Sequence, residues 1–294
     1  MHATLIHNPT AGFEKPSKEE IIAALSEKGY DTRYFSSKTD NIEEALKHPG
    51  ELVIVAGGDG TIEKTAKQLV GRNIPMGILS TGTANNIAVT LKACGLPELE
   101  ISTWDLTNRF PYDIGKAKGG WGENVFLESA GFGLLITLMQ ESAARQKKEN
   151  LRFNNREEKI RFGLKVLQEI LPEQPAPFYH LQLDGKDMSG KYLLVEIMNI
   201  KSVGPHLKLA PDADPGDGFF DVVLLSEGEK DHFSEYINAL SKGEDGGFKI
   251  KTFHASHINI HSEQTRLHVD DEIIEAEEKS RIRSTLESHK LEFL

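Results

Sequence analysis

The sequence has almost no cysteine, no long apolar run and no excess of positive charge. Its 294 residues include a single cysteine, Cys94, so an intrachain disulfide and zinc sites with two or four cysteine ligands are excluded. No stretch approaches the ~18 apolar residues of a membrane-spanning helix. The first residues also lack the charged start and apolar run of a signal peptide. We therefore expect a cytoplasmic protein, with any membrane association peripheral and on the inner membrane face.

Acidic residues outnumber basic ones, 45 to 34, which gives a net charge of -11. Such a chain is a poor non-specific binder of nucleic acid, which requires clustered positive charge. Hydrophobic residues make up 38% and charged residues 27%, as in an ordinary globular protein. At about 150 residues per domain, the length predicts two domains.

Strand-like and helix-like segments alternate over the first ~110 residues. The apolar run LVIVA (52–56) is typical of a strand buried on both faces of a parallel sheet. A helix is predicted from Ser17 to Lys28, with Ser17 as N-cap and Glu20 completing a capping box. The alternation predicts an α/β domain with a doubly wound parallel sheet. The other predicted segments are strands at 3–7, 32–35 and 76–79 and helices at 41–47, 61–70 and 84–93.

After about Pro111 the pattern changes to short strand-like segments separated by turn signals such as Asp217-Gly218. This change predicts a second, mainly β domain with two or three helices. The predicted strands are 124–129, 179–183, 192–198, 219–225, 257–260 and 267–269, and the predicted helices lie near 134–145, 157–170 and 234–241.

The segment Gly57-Gly58-Asp59-Gly60-Thr61 follows the apolar strand directly and precedes a helix. Glycines let a phosphate approach the backbone closely, and a helix N-terminus offers unpaired N–H groups to it. Asp59 would repel phosphate unless a cation lay between them, which suggests Mg²⁺. A tight βα turn explains this segment about equally well when it is taken alone.

Two further loops favour the phosphate-binding interpretation. NPTAG (8–12) follows the first strand, and TGTANN (81–86) follows the strand that ends near residue 79. In a parallel sheet all three loops emerge at the carboxyl edge of the strands, where such sheets bind ligands. The sequence contains neither G-x-x-x-x-G-K-[ST] nor G-x-G-x-x-G, so this is not a P-loop or a dinucleotide-binding fingerprint.

Two acidic segments lie in the second half. APDADPGDG (210–218) fails as a calcium EF-hand because its twelfth position would be Val223, but it fits a smaller metal site or a polar turn about equally. In VDDE (269–272), a carboxylate at a strand end could act as a general base, although a solvated acidic hairpin is the simpler interpretation.

A basic segment, 145–165, contains eight basic and three acidic residues with apolar residues between them. It could attract an anionic membrane surface, or it could be a solvated helix with an apolar core face. His254, His257 and His261 are interpreted as surface or sheet residues, because no third ligand supports zinc.

Together these motifs resemble the diacylglycerol kinase catalytic-domain family, which includes sphingosine kinases and bacterial lipid kinases. The resemblance covers nearly the whole chain. It implies an ATP-binding α/β domain (1–111), completed by a returning segment at about 280–294, and a β-sandwich lipid-substrate domain (112–279). It rests, in order, on NPTAG, GGDGT, TGTANN, Asp113-Ile114-Gly115, Ala130-Gly131-Phe132-Gly133, Asn199, APDADPGDG and VDDE.

The resemblance also assigns site residues. It implies that Glu272 is the general base and that Asp59 takes part in catalysis. A structural Mg²⁺ would be held by Asp214, Asp217 and Phe219, the first and last through backbone oxygen. The residues implied in ATP binding are Asn8, Pro9, Thr10, Ala11, Gly12, Ser36, Gly57, Gly58, Asp59, Gly60, Thr61, Ile62, Glu63, Lys64 and Thr83.

The chain departs from the family pattern at three places: Asn86 stands where the family has aspartate, Asp271 where it has glycine, and Glu63-Lys64 where it has Asn-Glu. We expect a Mg²⁺- and ATP-dependent kinase acting on a diacylglycerol-like lipid hydroxyl at a membrane surface. The alternatives are a soluble-substrate kinase similar to NAD kinases and a non-catalytic nucleotide-binding regulator. The sequence leaves a homodimer open.

Overall fold

In a computed structural model, which describes residues 1–12, 16–244, 249–275 and 281–294, the chain forms two compact units. The first unit comprises residues 1–114 and 288–294, and the second comprises residues 115–287. Within the described ranges, no helix is both long and apolar enough to cross a membrane.

The first unit alternates strands with helices as far as β5, whose first residues belong to it. Its elements are β1 (His2–His7), α1 (Lys18–Glu27), β2 (Asp31–Ser36), α2 (Ile42–Ala45), β3 (Leu52–Gly57), α3 (Asp59–Lys67), β4 (Met76–Ser80), α4 (Asn86–Leu91), α5 (Pro97–Thr103) and the start of β5 (Phe110–Gly119).

The second unit begins with the remainder of β5 and is mainly β. Its elements are β6 (Gly122–Phe126), β7 (Ser129–Gly133), α6 (Leu134–Lys148), α7 (Arg156–Ile170), β8 (Phe178–Leu183), β9 (Lys186–Asp187), β10 (Gly190–Met198), β11 (Phe220–Ser226), α8 (Lys230–Ser241), β12 (Thr252–Ala255), β13 (His257–Ser262), β14 (Arg266–Val269), β15 (Glu272–Glu275) and β16 (Arg281–Phe293), whose last residues belong to the first unit. Short 3₁₀ helices span Leu171–Glu173 and Glu227–Glu229.

The sheet of the first unit has the order β16-β4-β3-β1-β2, and each neighbouring pair is parallel. Every residue of β3 is buried, as its unbroken apolar run predicts. Ser17 caps helix α1: its hydroxyl accepts from Glu20 N while the Glu20 carboxylate accepts from Ser17 N. The predicted α/β class of the N-terminal domain is therefore confirmed.

The second unit contains two antiparallel sheets. One has the order β12-β11-β10-β7-β14-β15, and the other includes β9-β8-β13-β16. Strand β10 connects them, because Gly190 and Lys191 pair with β8 while later residues pair with β7 and β11. Side chains from both sheets form one apolar cluster, and α6, α7 and α8 pack in a second cluster with β10 and β11. The predicted mainly β, sandwich-like C-terminal domain is confirmed.

One strand predicted from sequence, 124–129, is two strands in the structure. Strand β6 ends at Phe126 and β7 begins at Ser129, with Leu127 and Glu128 between them. The backbone N–H groups of Leu127 and Glu128 donate to the Asp270 carboxylate rather than to a neighbouring strand. The partner that interrupts the strand lies more than 140 residues away, so local pattern could not indicate it.

Candidate nucleotide and phosphoryl-transfer site

Three loops meet at the carboxyl edge of the parallel sheet in the first unit. Gly12 has a φ of +69°, and a Cβ there would lie 1.8 Å from the carbonyl oxygen of Thr81. A Cβ on Gly82 would lie 2.4 Å from the Cα of Gly58. The loops that follow β1, β3 and β4 thus pack backbone against backbone, which requires glycine at these points.

Asn8 connects the first loop to the second. Its amide Nδ2 donates to Thr61 Oγ1 at 3.2 Å, and its Oδ1 accepts from the backbone N and the hydroxyl of Thr10 at 3.1 and 3.0 Å. The backbone N of Asn8 donates to Ala56 O at 2.8 Å. These bonds fix the loop after β1 against the start of α3.

Asp59, the first residue of α3, accepts hydrogen bonds from the start of α4. Its two carboxylate oxygens accept from Asn86 N at 3.1 Å and Ile87 N at 3.2 Å. Two N–H donors at a helix N-terminus offset part of the negative charge. The presence of Asp59 therefore does not by itself require a cation, and this residue has a structural role that the sequence did not reveal.

The start of α3 retains the character of an anion site. Gly58 occupies the N-cap position and no side chain caps it. The first N–H groups of a helix have no partner within the helix, and such groups are the ones that bind phosphate. Among the predicted nucleotide residues of α3, Ile62 and Glu63 have buried side chains, while Lys64 is exposed.

Three buried oxygen atoms belong to residues of the third loop. Thr81 Oγ1, Asn85 Oδ1 and Asn86 Oδ1 have no hydrogen-bond partner among the described residues. Buried polar atoms are nearly always bonded, so a bound donor, water or cation would satisfy them. Asn86 is the residue that departs from the family aspartate, and its amide oxygen keeps an acceptor at this position.

Ser36, another predicted nucleotide contact, is buried at the end of β2. Its backbone N donates to Asp40 Oδ2 at 2.7 Å, and its hydroxyl accepts from Lys38 N at 3.3 Å. Thr83 is half-buried in the third loop. Ser36 lies at the end of one strand of the parallel sheet, and Thr83 lies in the loop that follows another.

The predicted metal residues share one turn of the second unit. Asp214 Oδ1 accepts from Gly216 N at 3.0 Å, and Asp217 Oδ1 accepts from Phe219 N at 2.9 Å. In the part of the chain that the structure describes, no three His, Cys, Asp or Glu side chains are grouped to hold a metal. The predicted site would thus depend on backbone oxygen and water.

Sequence reasoning missed Asp221, which is buried at the start of β11 near this turn. Burial raises the pKa of its carboxyl group, although His254 Nε2 lies 3.3 Å from Oδ1. An aspartate within the apolar run FFDVVLL was the available signal. His257 and His261 lie on β13 and His254 on β12, as expected of sheet residues.

The acidic turn between β14 and β15 contains one buried and two exposed residues. Asp270 is buried with a φ of +52°, and its carboxylate accepts from Leu127 N and Glu128 N at 3.0 and 2.8 Å. Asp271 and Glu272 are exposed. Asp270, not Asp271, takes the left-handed conformation, so a side chain replaces the family glycine at 271 without left-handed strain.

Sequence reasoning also missed a buried pair beneath this turn, Glu196 and His268. The His268 Nε2 atom lies 2.9 and 3.0 Å from the two carboxylate oxygens of Glu196. Burial works to lower the pKa of His268, but the Glu196 charge and the hydrogen bonds to Glu196 and Asp270 outweigh it, and the pKa is raised. A glutamate inside the apolar strand YLLVEIM was the only signal.

The basic segment 145–165 forms the end of α6 and the first part of α7. Its apolar residues belong largely to the core: Leu164 is buried, and Ile160 and Phe162 pack against the same cluster. The basic side chains of Lys147, Lys148, Arg152, Lys159, Arg161 and Lys165 are exposed. The packing of its apolar residues fits the interpretation of a solvated helix with an apolar core face. Only the charged side chains of the segment are available to contact a membrane surface.

Family models match both units. Residues 2–117 match the diacylglycerol kinase catalytic domain, and residues 139–281 match the YegS C-terminal NAD kinase beta sandwich-like domain. A diacylglycerol kinase of Bacillus subtilis (strain 168) is 28% identical over 255 residues, covering 82% of this chain and 79% of that protein. A diacylglycerol kinase of Staphylococcus haemolyticus (strain JCSC1435) is 27% identical over 283 residues, covering 92% and 82%.

A crystal structure of a diacylglycerol kinase from Bacillus anthracis str. Sterne has the same fold. It superposes with a TM-score of 0.68 at 20% identity, covering 99% of this chain and 96% of that one. Fold, motif order and sequence matches thus agree along the chain, whose first part is similar to the diacylglycerol kinase catalytic domain and whose second part is similar to the YegS C-terminal domain.

Proposed function

We propose that the protein is a Mg²⁺- and ATP-dependent kinase that transfers the γ-phosphoryl group to a lipid hydroxyl, with diacylglycerol as the first acceptor to test. The observation that carries this proposal is the meeting of three glycine-containing loops around unsatisfied buried oxygens at the carboxyl edge of a parallel sheet. Ligands bind at that edge in open α/β folds. The names of the Bacillus and Staphylococcus relatives support the choice of acceptor.

In this proposal the first unit binds the nucleotide. The loop 8–12, the segment 57–64, Ser36 and Thr83 would surround it, and the uncapped start of α3 would face its phosphates. Asp59 holds α4 against α3 and so fixes the position of the second loop relative to the third. The unsatisfied oxygens of 81–86 fit a bound donor or cation-held water.

The turn 214–219 has oxygen donors of the kind that Mg²⁺ prefers. Asp214 and Asp217 would hold the ion together with backbone oxygen and water, and the Asx bonds to Gly216 and Phe219 already order the turn. A Mg²⁺ ion bound together with ATP would supply positive charge that offsets the charge of the phosphoryl group in transfer.

We assign Glu272 as the general base. Its carboxylate is exposed at the start of β15, whereas that of Asp270 is buried and engaged by two backbone amides. Glu272 would take the proton of the acceptor hydroxyl as that oxygen attacks the γ-phosphorus, while the bond from the γ-phosphorus to the bridging oxygen breaks and ADP leaves. Asp270 fixes the turn that presents Glu272.

The exposed basic residues of 145–165 would hold the protein at an anionic membrane surface, where a lipid acceptor resides. The attraction is electrostatic, because most apolar residues of the segment pack in the core. Association would then be peripheral, from the cytoplasmic side.

Transfer of ³²P from ATP to diacylglycerol, other lipids and NAD, with and without Mg²⁺, tests the proposal. Labelled lipid only in the presence of Mg²⁺ would support it. Labelled NAD would show a soluble-substrate kinase, and nucleotide binding without transfer to any acceptor would show a regulator.

Variants refine the test. Glu272→Gln keeps shape but removes the basic oxygen, so kcat should fall by about 10²–10⁴-fold with little change in ATP affinity. Glu275→Gln, an exposed carboxylate on the same strand, is the matched control and should retain wild-type kcat. Asn86→Asp should keep or raise turnover, because a carboxylate holds Mg²⁺-bound water better than an amide does.

A further inference from the structure

Every polar group of Asp270 is engaged. Its backbone N–H donates to Ser129 O at 2.8 Å, and its carboxylate accepts from Leu127 N and Glu128 N. Its carbonyl oxygen lies 2.9 Å from His268 Nδ1. A non-glycine residue in the left-handed region is held there by its surroundings, so these contacts determine the shape of the turn.

Glu196 orients the His268 ring from the other side. Both residues are almost completely buried, and the carboxylate spans Nε2 with both of its oxygens. Gly131 on β7 leaves room for that carboxylate, since a Cβ there would lie 2.1 Å from Glu196 Oε2. The opposite partners of His268 on β7 and β15, Gly131 and Ile273, carry no titratable group.

The partners of the ring determine its protonation. Nδ1 faces a carbonyl oxygen and Nε2 faces a carboxylate, so both ring nitrogens face acceptors. A neutral imidazole has only one N–H, and only the imidazolium donates to both. The Glu196 carboxylate compensates the imidazolium charge, and the raised pKa of His268 agrees with this state.

We propose that Glu196 and His268 form a positioning pair, which fixes the Asp270 carbonyl and thereby the placement of Glu272 for proton transfer. This inference rests on the proposed function of Glu272. Glu272 lies two residues beyond Asp270 and pairs with Val269 across a two-residue turn. Rotation of the peptide that follows Asp270 would therefore shift the start of β15 directly.

Two substitutions at His268 separate positioning from stability. The asparagine amide nitrogen lies as many bonds from Cβ as Nδ1 does, and the glutamine amide nitrogen as many as Nε2. His268→Asn can therefore still donate to Asp270 O but loses Glu196, whereas His268→Gln can still donate to Glu196 but releases the turn. The two variants are compared for kcat, KM for MgATP, unfolding free energy and hydrogen exchange at the Leu127 amide.

If His268 acts by positioning Glu272, kcat should not follow stability in the two variants. His268→Gln should lose about 10- to 100-fold in kcat with an unchanged KM for MgATP, as expected when a catalytic group is misplaced, and should exchange faster at Leu127. His268→Asn should keep kcat within about threefold of wild type, despite lower stability. His257→Gln, at an exposed His–Asp pair with 3.5 Å between Nδ1 and Asp184 Oδ1, is the control and should change neither quantity.

The proposal is overturned if kcat simply follows stability, with His268→Asn the worse variant, or if Leu127 exchanges at the wild-type rate in His268→Gln. Should His268→Asn fail to fold, Glu196→Gln replaces it: a neutral ring then accepts from Gln at Nε2 and still donates from Nδ1, so kcat should stay near wild type. If wild-type protein transfers phosphate to no acceptor, the proposed function fails, and the Leu127 exchange rates alone decide whether His268 holds the turn.

Discussion

Replacing Asp59 with alanine should destabilise the first unit as well as alter nucleotide binding. The substitution removes both acceptors of the Asn86 and Ile87 N–H groups. Hydrogen bonds to a charged group contribute about 1.5–3 kcal/mol each, and loss of a side chain that caps a helix typically costs about 0.5–2 kcal/mol. Because Asn86 and Ile87 are buried, water replaces the lost acceptors poorly. We expect a loss of about 2–4 kcal/mol in unfolding free energy.

Asp59→Asn separates this structural role from a role in metal-bridged phosphate binding. Its amide oxygen can still accept one N–H, so about half of the stability loss should remain. Urea unfolding measures the first effect, and calorimetry with MgATP measures the second. An Asp59→Ala variant that unfolds at the wild-type midpoint would refute the structural argument. If Asp59→Asn keeps wild-type MgATP affinity and turnover, the charge of Asp59 has no role in nucleotide binding.

Two further predictions concern surface charge and pH. Reversing Lys147, Lys148 and Arg152 to glutamate should weaken sedimentation with anionic vesicles at low salt, and wild-type protein that ignores such vesicles would exclude the membrane role. The pKa of His268 is raised in the fold, so its stabilisation is fully present below its unfolded pKa of about 6.5 and is lost as pH rises through the higher folded value. Urea titrations from about pH 6 to 9 should show unfolding free energy falling with pH, and a wild-type slope in Glu196→Gln would contradict this assignment.

The architecture of the first unit could be predicted because its signals are local. Ser17 and Glu20 form a capping box that predicts a helix start from four consecutive residues. The LVIVA run predicts a central parallel strand. The common edge of the three loops follows from parallel topology alone. Helix α5 escaped prediction because it is short and its buried face amounts to Ile101.

The second unit was harder to predict because its decisive contacts are distant in sequence. The break between β6 and β7 depends on Asp270, and the environment of Glu196 depends on His268, 72 residues later. A single sequence shows a glutamate in an apolar strand as an anomaly but not its partner. The family motifs identified VDDE (269–272) as a candidate segment of the site. Only the fold shows that Asp270 holds the turn while Glu272 is exposed.

The order in which the strands are synthesised has a consequence for folding. Strand β4 gains its outer neighbour only from the end of the chain, where Phe293 pairs with Met76 and Leu294 N donates to Met76 O at 3.0 Å. In the same segment the backbone N–H of His289 donates to the Asp113 carboxylate, and the centroid of the Phe293 ring lies 5.0 Å from that of the Tyr112 ring. During synthesis the nascent sheet therefore exposes an unpaired edge at β4 while more than two hundred further residues emerge, and such edges invite pairing with other chains.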